Sequence, residues 1–128
     1  MSLVEVARSG QATMAVVAAA VTPKGSVTNV KYWNPNTSNW QTTPPSLAVG
    51  QVGAVAVTGN NTNSVKQNMQ MVFEITDPTG IKTVLESTRG IWANIIAGDY
   101  IPEVSPEITL TKAGTWKAEA VLKAEVAA

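Results

Sequence analysis

Every second residue from Met69 to Ile75 is apolar. In "MQMVFEIT", Met69, Met71, Phe73 and Ile75 share one face, while Gln70, Glu74 and Thr76 occupy the other and Val72 alone breaks the polar side. Side chains alternate across an extended chain, so this period of two specifies a half-buried strand and excludes an amphipathic helix over the same residues. The segment runs into "DPTG" (Asp77–Gly80). Proline fixes the first corner of a turn and glycine supplies the left-handed position after it, so "IKTVLEST" is expected to return as the second strand of a hairpin.

The same rhythm returns at the end of the chain. In "TWKAEAVLKAEV", Trp116, Ala118, Ala120, Leu122, Ala124 and Val126 fall on one side, with Thr115, Lys117, Glu119, Lys123 and Glu125 on the other. Ala, Lys, Glu and Leu favour helices, but a helix would spread these charges around its circumference, so a strand is expected. "EITLT", "SLAVGQVGAVAVTGNN", "GSVTNVKYW" and "GIWANIIAG" are further extended segments, and glycines 50, 53 and 59 suggest bends, bulges or close backbone approaches. The leader, Leu3 to Val21, reads as two strands turning at "RSGQ", or as one strand and a short buried helix, with strand favoured. The count is seven to nine short strands, with turn signals every 8 to 15 residues, in one domain of 128 residues. That pattern is expected of an all-β sandwich or small barrel. Residues 1–22 read as an N-terminal extension of β character, packed on the domain or on a neighbour, and 23–128 as the sandwich.

The stretch from Val49 to Val126, roughly 80 of the 128 residues, resembles the immunoglobulin-like and fibronectin-III-like sandwiches of prokaryotic surface and secreted proteins. The resemblance is carried by "VGQVGAVAVTGNNTNS", "MVFEITDPTG" and "ITLTKAGTWKAEAVL". It lacks the cysteine pair of antibody domains, and Trp116 stands where related sandwiches often set a corner tyrosine. The resemblance implies an adhesion, spacer or ligand-binding module; a fold alone does not choose among these.

Composition removes most chemistry. The chain has no histidine and no cysteine, so the common neutral-pH base, thiol nucleophiles and nearly all zinc, copper and haem ligation are absent. Asp77, Asp99, Glu103 and Glu107 lie in or near turns without the clustered carboxylates that calcium needs. Asp99 and Glu103 as a glycosidase pair is weighed against two solvated loop acids, and the latter is expected. No nucleophile elbow, phosphate loop or dinucleotide fingerprint occurs. A non-enzyme without cofactor or metal is therefore expected. Nine basic and nine acidic residues give zero formal net charge, which offers no field for nucleic acid. No apolar run reaches the ~18 residues of a membrane span, so no membrane insertion is expected. "ATMAVVAAAV" (Ala12–Val21) has the length of a signal-peptide apolar region, but Glu5 sits where a basic leader should be.

The candidate site is "KYWNPNTSNWQTTPP", which holds two of the four tryptophans. Tyr32, Trp33 and Trp40 could present flat apolar faces to a carbohydrate or protein, with Asn34, Asn36 and Asn39 as hydrogen-bonding neighbours. The simpler reading is a hairpin in which "NPNTS" turns the chain and Trp33 and Trp40 pair across strands. Trp116 and Trp92 are expected to pack in the core. The sequons at Asn36 and Asn60 fall in expected loops and read as chance matches in an Asn- and Thr-rich chain. The function expected is a structural or adhesion module of a surface, secreted or particle-associated protein, virion parts included, acting by self-association or docking to a protein partner. The alternative is a carbohydrate-binding module using the Trp33/Trp40 hairpin.

Overall fold

The structure is a computed structural model and describes residues 2–9 and 21–128. Every regular element among them is a β-strand, and every pairing is antiparallel. The chain order is β1 (Val4–Arg8), β2 (Gly25–Asn34), β3 (Asn39–Gln41), β4 (Val52–Gly53), β5 (Val55–Asn61) and β6 (Gln67–Thr76). It continues with β7 (Lys82–Glu86), β8 (Trp92–Ile95), β9 (Tyr100–Val104), β10 (Ile108–Thr109) and β11 (Lys117–Val126). Eleven strands exceed the seven to nine expected, because β3, β4 and β10 are only two or three residues long. The apolar stretch Ala12–Val21 lies outside the described residues except for Val21, as does the second half of the leader.

One sheet has the order β1-β11-β6-β7, and the other β3-β2-β5-β9; β4 and β10 form a short separate ribbon. β6 pairs with β11 along its whole length, from Gln67↔Val126 to Thr76↔Lys117. Its opposite edge is shared end to end, with β8 against Gln67 and Met69 and β7 against Val72 to Thr76. The DPTG turn closes β6 onto β7: the Asp77 carboxylate accepts from the backbone N–H of Thr79 at 2.8 Å and of Ile81 at 3.0 Å, and Gly80 takes φ +92°. The alternation of the sequence becomes the core. Met69, Met71, Phe73 and Ile75 of β6 and Ala120, Leu122 and Ala124 of β11 pack with Val55, Val57 and Ile101 from the other sheet. An arrangement of two antiparallel sheets around one apolar core is compatible with a β-sandwich.

β5 alternates buried and half-buried residues, and its buried Gly59 makes the close contact between layers. A Cβ there would lie 2.9 Å from Met71 Cε and 3.1 Å from both Ile101 and Leu122. At one end of the core, "NNTNSVKQ" builds a buried amide cluster. Gln67 donates to Asn61 Oδ1 at 2.8 Å and to the Lys24 carbonyl at 2.7 Å, and accepts from the Lys24 N–H at 2.9 Å. Asn61 donates to the carbonyls of Val65 and Ile95, and Asn63 to those of Thr22 and to Gln67. The cluster fastens the start of β2 and the end of β8 to β5 and β6, and its members are mutually satisfied, as buried amides must be.

Candidate interaction site

The six residues of the candidate site belong to one hairpin. β2 carries a bulge between Thr28 and Lys31 with Asn29 at φ 55°, a left-handed position that asparagine tolerates. Beyond the bulge β2 is sandwiched between β5 and β3: Tyr32 faces Val55 and Gln41, Trp33 faces Trp40, and Asn34 faces Asn39. The turn is built from its own side chains. Asn34 Oδ1 accepts from the Asn36 N–H at 3.0 Å and Asn34 Nδ2 donates to Gln41 at 2.9 Å, while Asn39 donates to the Thr37 carbonyl at 3.1 Å. Asn36 accepts from Gln51 at 2.6 Å, which ties the hairpin tip to the loop before β4. These amides therefore serve the hairpin.

Trp33 and Trp40 meet edge to face, with centroids 5.3 Å apart and planes inclined by 60°. This is a favoured aromatic geometry, and the inclined rings offer no common plane to a sugar ring. Tyr32 and Trp33 have a second role. Together with Trp116, Leu47, Ile108 and Leu110 they line an open cleft of about 860 Å³ beside the start of β11. Trp40, Asn34, Asn36 and Asn39 are outside its lining. The other wall comes from the Pro44–Val49 loop, held by Gly50 N–H to the Leu110 carbonyl at 2.7 Å and Leu110 N–H to the Gln51 carbonyl at 2.9 Å. Trp116, expected in the core, is half-buried: one side packs on the core, and its indole N–H donates to the Lys112 carbonyl at 3.0 Å.

The cleft lining is mostly aromatic and aliphatic, and Ser46, Thr115, Lys112, Lys117 and Glu119 also belong to it. Lys112 is held by Asp77 at 2.8 Å, and Glu119 by Arg8 at 3.2 Å. Such a surface binds apolar or aromatic groups by burial and has one carboxylate, already paired. Of the six candidate residues named from the sequence, Tyr32 and Trp33 line this cleft, which the sequence did not anticipate. The loop residues Leu47 and Val49 carry no periodic signal that would mark them.

A second cluster was missed altogether. Glu103, expected as a solvated loop acid, lies on β9 with 3% exposure. Its carboxylate accepts from the Ser87 hydroxyl and the Trp92 indole N–H, and Arg89 stands 5.2 Å over the Trp92 ring. Burial pushes its pKa up, against the lowering pull of the Trp92 bond and the Arg89 charge. Asp99 does not join it; it closes the turn before β9 with its N–H on the Ile96 carbonyl at 3.1 Å, and its carboxylate accepts from the Tyr100 N–H at 2.9 Å. Asn60 lies in a strand instead of a loop, donating to Thr28 at 2.9 Å. Among the described residues no group of three acidic side chains is placed to hold a metal ion, and no helix is long and apolar enough to cross a membrane. No protein-family model, curated protein or solved structure matches the chain.

Proposed function

We propose that the protein is a non-catalytic interaction module, immunoglobulin-like or fibronectin-III-like in its sandwich, that docks to protein neighbours through the cleft beside β11. The observation that carries this reading is the cleft itself, lined by Tyr32, Trp33 and Trp116 and left open beside the hydrophobic core. Aromatic rings in a concave apolar surface are the usual anchors of protein recognition. The reading fits a surface, secreted or particle-associated component, whose work is to hold neighbours together.

The test is a pair of titrations followed by fluorescence. An apolar naphthalene dye should bind saturably to the wild type and at least tenfold more weakly to Leu47→Asp, which charges one wall on a loop. A panel of soluble glycans should leave the tryptophan emission unchanged. A saturable glycan response removed by Trp40→Ala would instead make the hairpin a carbohydrate site.

A further inference from the structure

We propose that two copies of the chain join edge to edge along β7, antiparallel about Val84, so that the β1-β11-β6-β7 sheets of both continue as one. This surface is separate from the cleft of the proposed function, and neither reading rests on the other.

The hydrogen-bonding phase of β7 leaves half of its backbone unpaired. Asp77 N–H donates to the Ile81 carbonyl at 2.9 Å, and Ser87 N–H to the Met71 carbonyl at 3.1 Å. Between them Thr83 stands opposite Ile75 and Leu85 opposite Phe73, so the odd-numbered residues turn their peptide groups toward β6. Lys82, Val84 and Glu86 turn theirs outward, at the end of the sheet where no further strand follows. A row of free N–H and C=O groups of this kind is a template for another strand.

The other sheet ends are blunted. β3 has three residues, and β1 is interrupted by a bulge between Glu5 and Ala7. On β9, Asn61 N–H bonds the Asp99 carbonyl and Ser105 N–H the Val55 carbonyl, which puts Pro102 on the free side, with no N–H to offer. β8, on the same side of β6 as β7, has four residues in an irregular register. β7 has five residues in unbroken register, without proline or bulge.

Charge order identifies the occupant. Lys82, Val84 and Glu86 share one face of the strand. A two-fold axis at Val84 sets the two valines against each other and each Lys82 against Glu86 of the second copy, while the outward peptide groups of both strands pair. Val84 is 59% exposed, and Glu86 is exposed with no ion-pair partner among the described residues. Lys82 already holds Glu74 at 3.0 Å, but its side chain is 56% exposed and open to a second carboxylate. The edge asks for an antiparallel strand of reversed charge order, and β7 itself is that strand. Two edges of five residues make a small contact, so the dimer is weak and forms at high protein concentration.

Sedimentation equilibrium from micromolar to millimolar protein should show the wild type passing from monomer to dimer. Val84→Pro removes the central outward N–H and leaves the bonds to β6, as Pro102 does on β9, and should abolish the dimer. Glu86→Lys and Lys82→Glu should each weaken it roughly tenfold, because like charges then face each other at both ends of the contact. Mixed in equal amounts, these two variants should pair as tightly as wild type, since every lysine again meets a glutamate. Leu47→Asp, which charges the cleft, should leave the dimer unchanged. A wild type that stays monomeric at millimolar concentration would overturn the proposal. So would a dimer that survives Val84→Pro, or a mixture that associates no better than its separate components.

Discussion

Arg8 and Glu74, 66 positions apart in the chain, meet at 2.8 Å on the outer face of the larger sheet. Glu74 and Glu119 are cross-strand partners, a like-charge pairing that destabilises a sheet when left alone. Arg8 resolves it by reaching both glutamates and Glu5, while Lys82 approaches Glu74 from the far side at 3.0 Å. One guanidinium from the edge strand therefore ties β1 to β6 across β11.

Arg8→Met should destabilise the fold by about 1–2 kcal/mol, since both partners are largely shielded, and Lys82→Met, whose side chain is 56% exposed, by well under ~1 kcal/mol. Urea denaturation compares them. The bond to Arg8, and then that to Lys82, holds the Glu74 carboxyl down at about 2. A depressed carboxyl stabilises fully above its unfolded pKa of roughly 4.3 and loses that stabilisation as pH falls through the folded value. Wild type should thus lose stability between about pH 4.3 and 2, and Arg8→Met should show a shallower loss there.

Glu103 has the opposite sign. Its folded pKa lies above the unfolded one, so the folded state holds the proton more tightly and stability declines as pH rises from the unfolded value through the folded one. Glu103→Gln keeps an acceptor for the Trp92 indole and a donor for Ser87 without a buried charge. Denaturation midpoints measured from pH 4 to 8 should be flatter in the variant and higher than wild type at pH 8. A larger loss in the variant at pH 8 would mean that the ionised carboxylate stabilises the fold.

Gly59 is required by packing. Gly59→Ala places a methyl group 2.9 Å from the movable end of Met71 and 3.1 Å from Ile101 and Leu122 and should cost about 1 kcal/mol, whereas Gly59→Val adds two more methyl groups to the same crowded contact and should cost about 3 kcal/mol. Thermal unfolding of the two variants measures the difference.

Gln67 sits at the centre of the amide cluster and is fully buried. Gln67→Leu keeps the volume but strands the Lys24 N–H and carbonyl and takes one of two donors from Asn61 Oδ1, which keeps the Asn63 N–H, for an expected loss of about 2–4 kcal/mol. Hydrogen exchange should show the start of β2 opening first.

The sequence made the architecture legible where one physical signal dominated. Alternation in β6 and β11 named the buried faces down to Phe73 and Leu122, and DPTG named its turn. Helix propensity in β11 was overridden because both its edges are paired, with ten-residue β6 along one and five-residue β1 along the other; Val72 and Val121, cross-strand partners on the otherwise polar face, are buried as well. The candidate site was less legible. The Trp33–Trp40 pair follows from the hairpin, but the cleft needs loop 44–49, fastened next to it at Leu110, to share a lining with β11, a tertiary arrangement without a local pattern. Glu103 and the Asn61–Gln67 cluster were hidden for the same reason: polar residues read as exposed until their buried partners are known.

Locating the bound dye tests the central claim, that the cleft beside β11 is the interaction site. Energy transfer from tryptophan to the naphthalene dye would be measured in wild type and in single Trp→Phe variants at 33, 40, 92 and 116. The account predicts that Trp33→Phe and Trp116→Phe each remove a large share of the transfer and that Trp92→Phe removes little. Transfer that survives both cleft substitutions but falls with Trp92→Phe would place the binding surface elsewhere and contradict it.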